Sequence, residues 1–149
     1  MKKTLITIIL IVLAGNGFAG TYSGGSGDPN DPYLIGEPND IIEMSGTSAD
    51  WNDHFLMIAD VNMIDYTFAT AVIAPDTSSS DDFQGTPFTG VFDGADHKIL
   101  NLTIDTAGAD NDNLGLFGLI DGEQAEVKNL GMENVSVIIG VVIQSRHRC

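Results

Sequence analysis

Short apolar runs separated by Gly, Asp and Asn dominate the chain after its first twenty residues. These runs predict strands at residues 33–35, 55–59, 71–74, 88–92, 98–104, 114–120, 126–132 and 135–143, with lengths typical of strands. A helical turn is predicted at residues 38–44, where Pro38 stands near the start and Ile41, Ile42 and Met44 form an apolar side. Residues 50–54 predict another turn. Because no 3.6-residue apolar period is sustained between residues 55 and 143, the pattern predicts an all-β protein with one short helical turn.

Two parts of this region resemble each other. Gly90-Val91-Phe92 is followed by the run at 99–104, and Gly115-Leu116-Phe117 is followed by the run at 127–132, so the matching positions are 25 (115 − 90) and 28 (127 − 99) residues apart. Such a period indicates a solenoid, whose stacked units share one apolar core. Asn101 and Asn129 occupy matching positions and are expected to stack as a ladder. We predict a parallel β-helix of few coils, with a β-sandwich as the alternative.

The first nineteen residues have the pattern of a secretory signal peptide. Lys2 and Lys3 precede a mostly apolar run at residues 5–14, and small residues flank Phe18, which predicts cleavage after Ala19. An apolar run of ten residues spans only about 15 Å as a helix, roughly half the hydrocarbon core of a bilayer. The pattern therefore favours export, to a secreted or cell-surface location, over a membrane anchor.

The remaining chain divides into three predicted parts. Residues 20–32 are rich in Gly, Ser, Asp and Pro and are expected to form a flexible lead-in. Residues 33–143 form the predicted β-helix domain, and residues 144–149 form an atypical basic tail with Arg146 and Arg148. Three interpretations of this tail are open. The chain is the beginning of a longer solenoid, the product of a truncated or frame-shifted gene, or a protein with a short true end. An uncapped coil would leave backbone groups free to pair with another chain, so we expect self-association.

The chain is strongly acidic. It has 21 acidic and 6 basic residues, a formal charge of −15. Removal of Lys2 and Lys3 with the signal peptide leaves 21 acids against 4 bases, or −17. This charge argues against nucleic-acid binding and against binding to anionic lipid. Cys149 is the only cysteine, so packing, backbone hydrogen bonds or metal must stabilise the exported chain.

Gly115-Leu116-Phe117-Gly118 and several segments before it resemble bacterial exported proteins with the GLUG motif, named for Gly-Leu-hydrophobic-Gly. Gly115-Leu116-Phe117-Gly118 fits this motif, and the resemblance covers roughly residues 24–137. Further matching segments are 25–27, 31–35, 50–51, 54–55, 59–60 and 88–94, with His97, Ile99 and Asn101-Leu102. The resemblance implies a right-handed β-helix within a large secreted or cell-surface protein. It implies no reaction and no agreed ligand.

Candidate catalytic groups are explained more simply by turns and packing. His54 is expected to pack on the first coil and His97 to satisfy a turn. The pairs Asp81/Asp82 and Asp93/Asp96 lie in polar loops and turns. Among the four bases of the mature chain, Lys98 is the plausible partner for a carboxylate in a lyase-like site. We predict no catalytic residues, no cofactor site and no enzyme activity.

The sequence also contains a partial calcium-binding pattern and two glycosylation sequons. Asp110, Asp112, Gly115 and Asp121 match positions 1, 3, 6 and 12 of an EF-hand loop, but Leu114 at position 5 breaks the pattern. We assign no metal residues, and leave structural calcium in other oxygen-rich turns open. The sequons Asn101-Leu102-Thr103 and Asn134-Val135-Ser136 are interpreted as chance matches, because the three-residue pattern is short.

The sequence therefore predicts a non-catalytic secreted or cell-surface β-helix repeat module for attachment or glycan contact. Its expected partners are an extracellular glycan, a surface protein, or another copy of the chain. The alternatives are a fragment of a carbohydrate-active lyase or hydrolase with a β-helix fold, and a gene remnant without activity.

Overall fold

The computed structural model describes residues 21–78, 80, 82–109 and 112–140. The predicted signal peptide, Asp81, Asp110 and the tail at 144–149 lie outside these residues. The described part contains one α-helix, α1 (Pro38–Gly46), a 3-10 helix (Ser48–Asp50) and ten short strands. The strands are β1 (Tyr33–Ile35), β2 (His54–Met57), β3 (Val61–Asn62), β4 (Thr67–Phe68), β5 (Val91–Asp93), β6 (Lys98–Leu100), β7 (Thr103–Asp105), β8 (Glu126–Lys128), β9 (Gly131–Glu133) and β10 (Ser136–Ile138).

The strands of the described residues form three parallel sheets. Sheet 1 has the order β1-β2-β5-β8, sheet 2 the order β3-β6-β9, and sheet 3 the order β4-β7-β10. From β2 onward the chain adds one strand to each of sheets 1, 2 and 3, in this order, three times. Each such round is called a passage: the first comprises β2 to β4, the second β5 to β7 and the third β8 to β10. The expected predominance of strands is confirmed. The alternative of a β-sandwich is wrong, because its sheets are antiparallel whereas the named strand pairs here are all parallel.

The spacing between equivalent positions is longer than the repeat predicts. Phe55 lies opposite Phe92, and Phe92 opposite Val127, which gives separations of 37 (92 − 55) and 35 (127 − 92) residues. Ile99 lies opposite Met132, 33 residues later (132 − 99). The predicted period of 25–28 is therefore wrong. The two segments that matched in sequence follow strands of different sheets, because Asn101 follows β6 of sheet 2 and Asn129 follows β8 of sheet 1.

Two predicted strands are each divided by a corner. Asn101 has φ 56° and separates β6 from β7, and Asn129 has φ 51° and separates β8 from β9. Asn adopts this left-handed conformation more readily than most residues, so it suits sharp corners. The predicted strands at 71–74 and 114–120 make only isolated parallel bridges, Ile73 with Phe117 and Phe88 with Ile120. The strands β3 and β4 were missed because two residues are too few to show alternation.

The expected Asn101–Asn129 ladder does not form. The carboxamide Nδ2 of Asn101 instead donates to Oδ1 of Asn62, at 2.8 Å, and Nδ2 of Asn129 donates to Oδ1 of Asp93, at 3.0 Å. Each Asn side chain thus binds a side chain of the preceding passage. These bonds fasten neighbouring passages together at the corners.

Aromatic rings form a column through the core. Tyr33 packs on Phe55 with ring centroids 5.5 Å apart, Phe55 on Phe92 at 6.4 Å, and Phe92 on Phe117 at 5.7 Å. Phe117 belongs to the Gly-Leu-Phe-Gly segment. A Cβ at Gly118 would lie 2.2 Å from the Ala74 carbonyl oxygen, so this position requires glycine for close backbone approach. The motif is thereby explained as a packing element between the two long connections, residues 69–90 and 106–125.

The N-terminal side of the core is covered by α1 and the segment before β1. Ile41 and Met44 of α1 are fully buried, and Trp51 Nε1 donates to the Met44 carbonyl at 2.7 Å. In the predicted lead-in, the Ser23 N–H donates to the Leu34 carbonyl at 3.2 Å, and the Leu34 N–H donates to the Gly24 carbonyl at 2.8 Å. The lead-in is therefore attached alongside β1.

The third passage leaves apolar side chains exposed. Met132 and Val137 are 42% and 45% exposed, whereas their register partners Ile99 and Ile104 are fully buried. Since these residues hold equivalent positions, the difference follows from stacking: within residues 21–140 as described, the second passage has a neighbour on both sides and the third on one side.

Candidate functional site

A shallow groove of about 240 Å³ lies on the exposed face of sheet 1. It combines two prolines from the segment before β1 with side chains of β2, β5 and β8. The lining residues are Pro29, Pro32, His54, Phe55, Leu56, Val91, Asp93 and Lys128. No sequence motif marks this groove, because its residues come from four separate parts of the chain.

Strand alternation and parallel register assemble the groove. In β2 and β5, Phe55 and Phe92 point into the core, so that the partly exposed residues on either side face the groove. The register places Leu56 opposite Asp93, and Asp93 opposite Lys128. The result is a row that runs from an apolar side chain to an acid and then to a base across neighbouring strands.

Charges at the Lys128 end of the groove are paired. Lys128 Nζ lies 2.9 Å from Glu126 Oε2, with both side chains about half exposed. The hydrogen bond and the charge of Glu126 raise the pKa of Lys128. Hydrogen bonds from the Ala95 N–H and the Asn129 carboxamide hold the pKa of Asp93 below its ordinary value, and the charge of Lys128 acts in the same direction. An aspartate is an anion and a lysine a cation at neutral pH already at their ordinary pKa values, and both shifts favour these charged forms, which bind polar groups.

The candidates named from the sequence do not come together at one place. His54 and Asp93 both line the groove, but the basic residue beside them is Lys128 rather than Lys98. Lys98 lies on sheet 2, where its Nζ is 3.0 Å from Glu133 Oε2. Lys98 thus lies beside a carboxylate, as the sequence suggested, but outside the groove, whose base is Lys128 because of the register across sheet 1.

His97 makes a contact across passages. Its Nδ1 lies 3.3 Å from Asp60 Oδ1, and the same oxygen accepts the Lys98 N–H at 2.9 Å. The backbone N–H of Lys98, followed by the His97 side chain, lowers the pKa of Asp60. The His97 N–H also closes a turn onto the Gly94 carbonyl at 2.8 Å. His97 thus lies in a turn that its backbone closes, and its side chain connects the first two passages through Asp60.

A cluster of three acidic residues, Asp28, Asp50 and Asp53, lies near the N-terminal side of the core. The Tyr22 hydroxyl donates to Asp50 Oδ2 at 3.0 Å, and burial, followed by this hydrogen bond, strongly raises the pKa of Tyr22. Burial, followed by the charges of Asp50 and Asp28, raises the pKa of Asp53. The carboxylates of Asp28, Asp50 and Asp53 therefore lie close enough to repel one another. Among the residues that shift the pKa of Asp53, His54 is the basic one, and it lowers that pKa.

Neither a metal cluster nor a membrane-spanning helix is found in the described part of the chain. No three His, Cys, Asp or Glu residues there are arranged to hold an ion. None of the helices of residues 21–140 that the structure describes is long and apolar enough to span a bilayer.

Comparison with known proteins gives one similarity. Over 141 residues the chain is 33% identical to Halomucin from Haloquadratum walsbyi, in an alignment that covers 86% of this chain. No family model matches the chain, and no solved structure matches it. The chain spans about 1% of the length of Halomucin, so the similarity concerns a small segment of that protein.

Proposed function

We propose that the chain is a non-catalytic, secreted or cell-surface β-helix repeat module of the GLUG type that contacts glycans through the groove on sheet 1. The repeated order of three parallel sheets supports the β-helix, because a chain that coils through the same sheets produces parallel strands one passage apart. The signal-peptide pattern at residues 1–19 and the similarity to Halomucin, whose name is that of a mucin, support a location outside the cell.

The observation that carries the glycan assignment is the composition of the groove. Leu56, Val91 and the two prolines supply apolar surface, and His54, Asp93 and Lys128 supply donors and acceptors at its margin. A sugar ring needs both kinds of surface, since its C–H faces are apolar and its hydroxyls donate and accept hydrogen bonds. We expect neutral glycans, because the net charge of −17 repels anionic ones.

Binding is favoured over the alternative of a carbohydrate-active enzyme. A glycosidase needs two carboxyl groups, one protonated and one ionised, whereas Asp93 is the one acidic residue among the described residues that line the groove. A lyase needs a base that can lose its proton, whereas Lys128 is paired with Glu126 at 2.9 Å, which raises its pKa. The set of groups in the groove therefore supports a recognition role.

The test is a glycan array with neutral and acidic oligosaccharides, probed with the chain lacking residues 1–19. We expect binding to a set of neutral glycans that falls at least about tenfold, or about 1.4 kcal/mol, in Lys128→Ala. Lys98→Ala is the matched control, because Lys98 also pairs with a glutamate at 3.0 Å but lies on another sheet. Equal loss in both variants, or binding to acidic glycans alone, would contradict the proposal. Release of unsaturated sugars by the wild-type chain would favour the enzyme.

A further inference from the structure

The two sequons occupy equivalent positions in consecutive passages of the chain. Thr103 of β7 lies opposite Ser136 of β10, so Asn101 and Asn134, each two residues earlier, stand at the same corner between sheets 2 and 3. Their φ angles are 56° and 57°. In the first passage this corner is two residues longer, since Asn62 lies opposite Leu100 and Thr67 opposite Thr103, so no single residue there is equivalent to the two Asn residues. The fold thus explains Asn at the corner, and the sequon pattern alone does not identify an acceptor.

The surroundings of the two Asn residues differ. Asn101 is partly buried and its Nδ2 donates to Asn62 Oδ1 at 2.8 Å, and the middle residue of its sequon, Leu102, is fully buried. Thr103 is held in the central strand of sheet 3. A transferase has to bind the whole tripeptide and reach the carboxamide nitrogen, and neither is possible at Asn101 in the folded chain.

Asn134 has none of these restrictions. Asn134, Val135 and Ser136 are all exposed, with Val135 at 43%, and the Asn134 carboxamide makes no hydrogen bond to the described residues. Among the described residues, β10 is an edge strand of sheet 3. We propose that Asn134 is an N-glycosylation site of the folded chain and that Asn101 is not, an inference that rests on the proposed export of the chain.

The reaction requires a lipid-linked oligosaccharide as co-substrate. The Asn134 Nδ2 attacks the anomeric carbon of the first sugar, and a bond between nitrogen and carbon forms. The bond from that carbon to the lipid phosphate oxygen breaks, and its electron pair leaves with the phosphate. Nδ2 loses one proton to a base of the transferase. Because Asn134 lies between sheets 2 and 3, its glycan would leave the groove on sheet 1 open.

The experiment uses the folded chain without residues 1–19, at a concentration at which sedimentation velocity shows the monomer, with a purified oligosaccharyltransferase and a lipid-linked oligosaccharide. The transferase is first selected for modifying two synthetic peptides, residues 98–104 and 131–137, so that each sequon is known to be a substrate. Mass spectrometry of the intact chain and of its peptides then locates the glycan. We expect one glycan per chain, with occupancy at least about tenfold higher at Asn134 than at Asn101.

Three variants complete the test. Asn134→Gln and Ser136→Ala should each abolish the modification, and Asn101→Gln should leave its yield unchanged. The urea-unfolded wild type should accept glycans at both positions. Equal occupancy at the two positions of the folded chain, no glycan on the folded chain, or modification that survives Ser136→Ala would overturn the proposal. Export is judged separately, from secretion and cleavage after Ala19, so its failure is distinguishable from failure of the acceptor site.

Discussion

The buried carboxylate of Asp40 provides the most direct test of how the N-terminal side of the core is stabilised. Asp40 is 1% exposed. Its Oδ1 accepts the Ser23 N–H at 2.8 Å, and its Oδ2 accepts the Ser23 hydroxyl at 2.7 Å and the N–H groups of Gly36 and Glu37 at 2.8 and 3.0 Å. One side chain thus joins the lead-in, the end of β1 and the start of α1.

Substitution Asp40→Ala removes the acceptor of all four hydrogen bonds. Bonds to a charged group contribute about 1.5–3 kcal/mol each, but Ser23 and Glu37 are exposed enough to regain water, so we take about 1 kcal/mol per bond. The expected loss in the free energy of unfolding is therefore about 4 kcal/mol, a large part of the roughly 5–15 kcal/mol of a typical domain. For a chain of this size the melting temperature should fall by about 10–20 °C.

Urea unfolding followed by fluorescence measures this loss. Trp51 is the only tryptophan, is buried and is bonded to Met44 of α1, so its emission reports release of the helix. Asp121→Ala is the matched control, since Asp121 is exposed and its side chain makes no hydrogen bond to the described residues. Asp40→Ala and Asp121→Ala losing equal stability would refute the reasoning, because the charge change is the same and only the hydrogen bonds differ.

Three further predictions concern charge and the exposed apolar end. Raising NaCl from 0.1 to 1 M should raise the melting temperature, because the Debye length shortens from about 10 to about 3 Å and screens the acidic chain; a lower melting temperature in salt would contradict this. Asp53→Asn should stabilise the chain at pH 7 and have no effect at pH 3. The folded pKa of Asp53 is raised by burial and by Asp50 and Asp28, so stability is lost as pH rises through that pKa, and urea unfolding at the two pH values checks the sign. The wild type should self-associate as its concentration rises, which sedimentation velocity measures. Val137→Asp should weaken this association, whereas Ile64→Asp should not, because Ile64 is 66% exposed but lies in the first passage. A monomeric wild type would refute this prediction.

The pattern of apolar and polar residues predicted those elements whose formation depends on residues adjacent in the chain. The apolar runs located β1 and most of β2 and β5, and Pro38 with Ile41 and Met44 located α1, because alternation and helix periodicity are properties of adjacent positions. Acidity and the lack of an internal disulfide follow directly from the sequence, and export is a prediction from the pattern at residues 1–19. The two-residue strands β3 and β4 were beyond this reasoning, since alternation cannot be seen in so few residues.

The tertiary structure decided how these pieces combine. From β2 onward the paired strands join residues that are 33 to 38 positions apart in the chain. The length of that step is determined by long connections whose packing has no local signature. The same register brings Asp93 beside Lys128, closes Asn101 onto Asn62 and leaves Asn134 exposed. The sequence by itself therefore determined the kinds of element and the charge of the chain. Only the stacking of one passage on the next decided which side chains meet, because contacts between distant residues depend on the whole path of the chain.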